Sequence, residues 1–265
     1  MRELSKRKVT VKGRIFGGEK VLICLPLLSN NIKDLLVEAD EIIGLKADVI
    51  EWRVDYFSNL DYENNSELVS SMKSLKKITN DIPVIFTCRS YNEGGNKKIK
   101  EENRIRMIEK ALETNLADII DVEMENKKEF IEEIKILVKK HKKHLILSNH
   151  NFKETPDEEF IVNKIIEGER TGADIIKLAV MANSYGDVLK LFNATYKARC
   201  SKVKIPIISM AMGDYGKITR VFGGCFGVDM TFAAGKSVSA PGQMPVGKVR
   251  KILNLMGNDW KYTLM

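Results

Sequence analysis

The sequence predicts an α/β fold, a (β/α)8 TIM barrel with a short N-terminal β-hairpin, and three observations carry that prediction. Eight short apolar runs recur along the chain, separated by stretches with helical periodicity. Three of the runs open alike, Ala47-Asp48-Val49-Ile50, Ala117-Asp118-Ile119-Ile120 and Ala173-Asp174-Ile175-Ile176, which marks a repeated αβ unit in a parallel sheet. No GxGxxG follows the first run, as an open doubly wound nucleotide-binding sheet would require. A length of 265 residues suits one such barrel, and no Pro/Gly/Ser-rich linker divides it. Residues 1–265 therefore read as a single barrel domain.

Taken in order, residues 8–20 alternate weakly through Val9, Val11, Arg14 and Phe16 and contain Gly13, Gly17 and Gly18, a hairpin pattern. Val21 to Leu27 is the first strong strand. Asn31 to Leu45 places Ile32, Leu35, Leu36, Ala39 and Ile43 on one helical face. The remaining strands are expected at Val49 to Val54, Val84 to Cys88, Ile119 to Val122, Leu145 to Leu147, Ile175 to Val180, Ile207 to Met210 and Val228 to Phe232. Between them, Phe130, Ile134, Leu137 and Val138 form an apolar stripe. Thr155-Pro156-Asp157-Glu158 reads as an N-cap, a first-turn proline and a capping-box glutamate, with Gly172 closing that helix.

Bulk composition narrows the function classes. No apolar run approaches the roughly 20 residues needed to span a bilayer, and no signal-peptide core follows the basic N-terminus. Cys24, Cys88, Cys200 and Cys225 are scattered without CxxC or Cys/His spacing, which argues against a zinc site or a disulfide framework and for a reducing cytoplasm. The formal charge is +7, but the lysines are interspersed with Glu and Asp and carry no nucleic-acid-binding motif. They read as a solvated surface with some bias toward small anionic substrates.

In a barrel, chemistry sits at the C-terminal ends of the strands. The second strand ends Glu51-Trp52-Arg53-Val54-Asp55, and period-2 geometry puts Glu51 and Arg53 opposite Trp52. The third ends at Arg89 and runs into Glu93-Gly94-Gly95. The fourth carries Asp121 and Glu123, the fifth ends at His150, and the sixth has Lys177 inside its apolar run. A strand-end Arg/Glu pair or a lone His has an ordinary structural explanation. A lysine inside a buried strand does not, because an unpaired charge there costs several kcal/mol. Desolvation lowers its basicity, and a free amine beside a carbonyl forms a Schiff base that acidifies the neighbouring C–H. His150 supplies a base near neutral pH, and Glu93 or Glu123 supplies a carboxylate to orient it. The constellation predicts imine-assisted proton abstraction next to a ketone. By its position on the fourth strand, Asp121 is expected to point inward with Glu123 and compensate the charge of Lys177.

These residues, with Phe86-Thr87-Cys88-Arg89-Ser90, Ser148-Asn149-His150, Ala179-Val180-Met181, Ser209-Met210, Gly216-Lys217-Ile218-Thr219-Arg220, Thr231-Phe232 and Ser239-Ala240-Pro241-Gly242-Gln243, resemble type I 3-dehydroquinate dehydratases. The resemblance spans positions 51 to 243 in one order. It implies a class I aldolase-like barrel, a cytoplasmic homodimer without a cofactor or metal, acting on 3-dehydroquinate in the shikimate pathway. It further implies that Lys177 forms the Schiff base, His150 moves the protons and Glu93 pairs with His150. Arg220, Ser239 and Gln243 would hold the substrate carboxylate, Glu51, Arg53 and Arg89 the ring hydroxyls, and Met210 and Met212 the apolar side. The Ser239–Gln243 segment would close over the substrate.

Two departures stand out. Asn151 occupies a position where aspartate is usual, and Val221 to Asp229 matches the family pattern poorly, with a carboxylate in the eighth strand. The rival readings are another Schiff-base aldolase or transaldolase acting on a sugar phosphate, and a non-catalytic anion-binding barrel or a piece of a multidomain chain. The intact His150/Lys177 pair counts against the binding barrel, and the end at Met265 shortly after the last helix signal counts against the multidomain piece.

Overall fold

The computed structural model describes residues 3–58, 60, 66–201 and 203–256. A two-stranded antiparallel hairpin, β1 (Val9–Val11) and β2 (Arg14–Phe16), pairs Val9 with Phe16. Eight strands then alternate with eight helices among the described residues: β3 (Leu22–Leu27), α1 (Ile32–Gly44), β4 (Val49–Arg53), α2 (Ser66–Ile78), β5 (Val84–Thr87), α3 (Glu101–Glu113), β6 (Ile119–Glu123), α4 (Lys128–Lys140), β7 (His144–His150), α5 (Glu158–Thr171), β8 (Ile175–Met181), α6 (Tyr185–Ser201), β9 (Ile207–Met212), α7 (Gly213–Phe222), β10 (Met230–Phe232) and α8 (Val246–Met256). The parallel sheet runs β10-β3-β4-β5-β6-β7-β8-β9, a near-closed barrel, as the periodicity predicts. No described helix is long and apolar enough to cross a membrane.

Alternation along the strands divides the core in two. Outward side chains such as Ile50, Trp52, Phe86, Ile120, Leu147 and Ile176 pack under the helices. Inward side chains at the N-terminal end, including Val49, Ile85, Ile119, Ile146, Ile175 and Ile208, form an apolar plug. Val9, Val11 and Phe16 of the hairpin pack against that plug. The floor of the barrel is therefore dry, and polar inward residues lie above it.

The repeated Ala-Asp words have a physical basis. Asp48, Asp118 and Asp174 each stand just before β4, β6 and β8. The carboxylate of each accepts from a backbone N–H at the start of the preceding strand: Ile23 at 2.9 Å, Val84 at 3.0 Å and Leu145 at 3.0 Å. Each also donates its own N–H to the carbonyl of that same residue. Asp229 repeats the motif before β10, accepting from Ile207 N at 2.7 Å and donating back to Ile207 O. The clamp satisfies a backbone donor at the edge of the barrel floor that the strand ladder leaves over. Asp229 thus belongs to the floor, where Ser5 and Arg199 also bond it, and does not face the catalytic end.

One local expectation is corrected. The cap of α5 is Asp157, whose Oδ1 accepts from Phe160 N at 2.8 Å; Thr155 donates to Met181 O instead. Gly172, at φ +104°, ends the helix as expected. Asn151 supplies a turn, with Oδ1 accepting from Lys153 N and Glu154 N.

Candidate active site

Lys177 lies on β8 facing inward, 5% exposed. The sequence reading pairs its charge with Asp121, as the structure does, and the structure adds Glu51. Its Nζ lies 3.0 Å from Glu51 Oε1 on β4 and 2.8 Å from Asp121 Oδ2 on β6, and 4.5 Å from the centroid of Phe232. Thr87 donates to the same Glu51 oxygen at 3.0 Å. Burial works against ionising Asp121, but Arg89 and Lys177 hold its carboxyl well below the usual range.

Arg89 crosses the barrel mouth. It donates from Nη2 to Asp121 at 2.8 Å, and from Nη1 to Glu123 at 2.8 Å and to Ser148 Oγ at 2.7 Å. Ser148 in turn donates to Asp121 Oδ1 at 2.6 Å, so arginine, serine and aspartate form one closed ring of bonds. Glu123 does not reach Lys177 or His150. It accepts from Arg89, from Arg104 Nη2 at 2.5 Å, from Ser90 N at 2.9 Å and from Asn126 Nδ2 at 3.0 Å. The expectation that it compensates Lys177 or orients His150 is therefore overturned: strand pleat turns it inward, but two arginines take it first.

Glu93 is the partner of His150. It sits in the 3-10 turn after β5, and its Oε2 lies 2.9 Å from His150 Nδ1 and accepts from the His150 backbone N–H at 2.8 Å. Gly94 follows at φ +84°, and a Cβ there would meet the Phe152 ring, which stacks beside His150 with centroids 6.4 Å apart. Burial, then the cations Arg89 and Lys177, drive the imidazole well below its ordinary pKa. Burial, then the Glu123 carboxylate, push Glu93 up to about 8. Both shifts favour the uncharged forms, so the dyad gains its last proton readily and loses it near or above neutrality. Once it has done so, the Glu93 carboxylate accepts from Nδ1–H and leaves Nε2 with a lone pair.

Ser148 pairs with Lys177 across β7 and β8, and His150 with Ala179. His150 therefore stands two residues nearer the mouth than the lysine on the same face, which leaves space for a small ring between them. Grooves of about 680 and 260 Å³ open beside the dyad; the larger is lined by Ser90, Glu93, Arg104, Glu123, Asn126 and His150. Lys177 lines neither and is enclosed within the barrel.

Arg220 on α7 is 1% exposed and has no carboxylate partner among the described residues. Its bonds go to Met210 Sδ at 3.3 Å, Phe232 O at 3.3 Å and Pro241 O at 3.1 Å, and Nε has none. Burial alone lowers its pKa to about 10. This is a buried cation without a counter-ion. Beside it, Ser239 N and Oγ bond the Gln243 side chain at 2.8 and 2.9 Å, tying the segment that contains Pro241 into a compact loop. Met210 and Met212 lie on the inner face of β9.

Arg53 is committed to other partners. It forks onto Asp55 at 2.8 Å through both nitrogens and donates to Gly94 O at 3.1 Å. Asp55, Ser148 and Arg104 are functional-looking residues to which sequence reasoning assigned no role. Ser148 was legible, since period 2 puts it on the face of His150. Arg104 was not, because a helical arginine looks like any surface cation until it is seen to be buried. No group of His, Cys, Asp and Glu among the described residues is arranged to hold a metal ion.

Comparison with known proteins matches residues 23–259 to the family model described as Type I 3-dehydroquinase. A 3-dehydroquinate dehydratase of Clostridioides difficile (strain 630) is 40% identical over 251 residues, covering 95% of this chain and 98% of its own. The crystal structure of 3-dehydroquinate dehydratase from Geobacillus kaustophilus HTA426 superposes with a TM-score of 0.92 at 35% identity, over 97% of this chain and 98% of that one. A type I enzyme from Clostridium difficile, solved with covalently modified comenic acid, gives 0.89 at 38% identity over 94% and 97%. The match runs from the first barrel strand beyond the last helix, and its relatives cover it nearly end to end; the chain belongs to the type I 3-dehydroquinase family.

Proposed function

We propose that Lys177, His150 and Glu93 carry the reaction, with Arg220 as the anchor of the substrate carboxylate. The reaction itself follows from the family: 3-dehydroquinate dehydratase, a hydro-lyase of the shikimate pathway. Family membership also decides between the two Schiff-base readings, setting aside the sugar-phosphate aldolase. The observation that supports the assignment of roles is the lysine paired to Glu51 and Asp121, one strand from a buried His150–Glu93 dyad.

The Lys177 amine adds to the C3 ketone, and loss of water leaves an iminium. Glu51 and Asp121, 3.0 and 2.8 Å from Nζ, balance that positive charge as they balance the ammonium. His150 Nε2 takes the proton from C2, made acidic by the iminium. The electron pair expels the C1 hydroxyl, which leaves as water with the proton that His150 returns. Hydrolysis of the imine frees 3-dehydroshikimate and the lysine. Arg220, with Ser239 and Gln243, binds the carboxylate. Glu51, Arg53 and Arg89 address the ring hydroxyls, and Met210 and Met212 line the apolar side. Docking of the carboxylate on Arg220 would draw the Pro241 loop over the site, since the loop already bonds that arginine. The scheme needs no cofactor.

Residues 1–265 would act as one barrel unit in the cytoplasm, as a homodimer of 30.0 kDa chains. Light scattering checks the dimer. Borohydride reduction with 3-dehydroquinate, followed by peptide mapping, tests the core assignment: the adduct is expected on Lys177, and an adduct elsewhere, or none, would overturn it.

A further inference from the structure

Arg104 has no place in the scheme above, yet it is 3% exposed and wholly engaged. It rises from α3, outside the barrel wall, with its guanidinium over the Phe130 ring at 4.9 Å. Nε donates to Cys88 O at 3.1 Å, Nη1 to Asn126 Oδ1 at 2.8 Å and Nη2 to Glu123 Oε2 at 2.5 Å. Arg104 grips the carbonyl of the strand end that carries Arg89 and the carboxylate that meets Arg89 and the Ser90 N–H. Ser90 O in turn accepts from Glu93 N at 3.0 Å and Gly95 N at 2.9 Å, which shapes the turn presenting Glu93 to His150. Both a mechanical path and an electrostatic path therefore run from Arg104 to the dyad.

We propose that Arg104 is a positioning residue that sets the proton affinity of the Glu93–His150 dyad by neutralising Glu123. The inference rests on the reading of His150 as the base. The charges facing the dyad are Arg89 and Glu123 from the mouth, Asp121 and Lys177 from β6 and β8, and Arg53 with Asp55 beneath Gly94. Glu123 is the carboxylate acting most strongly on Glu93, and its own ionisation is opposed by burial but held by Arg89 and Arg104. Without Arg104, more of the Glu123 charge is felt at the dyad, which then holds its proton to higher pH. Without the Glu123 carboxylate, Arg89 and Arg104 are left in excess and the dyad releases its proton at lower pH. A residue that served stability alone would leave the profile where it is.

The test is the pH profile of kcat/KM in Arg104→Gln, Arg104→Lys and Glu123→Gln. In Arg104→Gln the acid limb should rise by about half a unit or more, less than the 1–3 units a directly contacting charge produces. It should fall in Glu123→Gln, and stay near wild type in Arg104→Lys, which keeps the charge and loses the fork. An unmoved limb in Arg104→Gln, or movement in the same direction in Arg104→Gln and Glu123→Gln, overturns the inference. Should Arg104→Gln fail to fold, the double variant Arg104→Gln/Glu123→Gln, which removes both members of the ion pair, decides it: a limb higher than in Glu123→Gln alone supports the proposal, and one equal to or below that of Glu123→Gln refutes it. A wild-type profile with no acid limb, or an unchanged one in His150→Gln, would instead refute the role of His150 as base.

Discussion

Replacing Arg220 by methionine should make the protein more stable and the enzyme far worse. The guanidinium is buried, and burial with no anionic partner to offset it lowers its pKa to about 10. At 1.36 kcal/mol per unit, holding it charged costs the folded state about 3 kcal/mol. A cation with a lowered folded pKa destabilises at every pH below that value, and the penalty fades only above about 10, so it is fully present at pH 7. Methionine of similar length removes the charge and keeps most of the packing. It also removes bonds to Phe232 O and Pro241 O, each worth about 1 kcal/mol net. The balance is a gain of about 1 kcal/mol, or about 2–4 °C in Tm for a chain of this size. The substrate carboxylate, meanwhile, loses a charge-assisted partner worth about 2–5 kcal/mol, a fall in kcat/KM of roughly 30- to 4,000-fold. Scanning calorimetry and steady-state kinetics at pH 7 read the two effects. A Tm lowered by several degrees, or kcat/KM within threefold of wild type, would mean that Arg220 serves the fold and not an anion.

Further expectations concern the lysine, the dyad and the floor. Lys177→Ala should abolish borohydride trapping and also destabilise the barrel by about 3–5 kcal/mol, because Glu51 and Asp121 are left as buried carboxylates without their shared cation; urea unfolding measures it, and a variant as stable as wild type would contradict the pairing. His150→Gln should still form a trappable imine while proton exchange at C2 stops; loss of the imine would make His150 a structural residue. Activity of the wild type should fall as pH drops through the apparent pKa of the dyad, whose Glu93 component lies at about 8. Glu93→Gln should lower the maximal rate and shift that limb down, since an amide no longer stabilises the imidazolium; an unshifted limb would separate Glu93 from His150. Asp118→Ala should cost about 1–3 kcal/mol through the unpaired Val84 N–H, with kcat unchanged, as expected of a clamp on the barrel floor.

Much of the fold was legible because barrel strands alternate with helices at a period that apolar runs reveal. The same holds for the identity of the chemical groups. Lys177 drew notice by being charged in an apolar strand, His150 by ending one, and Glu93 through the Gly94-Gly95 turn it precedes. The echo of Ala-Asp words was also visible, but its meaning was not. Asp229 looked like a carboxylate intruding on the site and proves to be a fourth copy of a clamp at the opposite end, because its position depends on which strand lies beside it. Glu123 shows the same limit. The pleat fixes that it points inward, yet it is claimed by Arg89 and Arg104, and residues on three different elements decide that together. Charge identity and strand periodicity are local properties, so the residues themselves determine that a lysine, a histidine and a glutamate meet at one end of a barrel. Ion pairing is not local: the Glu51 counter-ion of Lys177, the solitary charge of Arg220 and the burial of Arg104 follow from contacts 10 to 126 residues apart, and the closed barrel alone creates them.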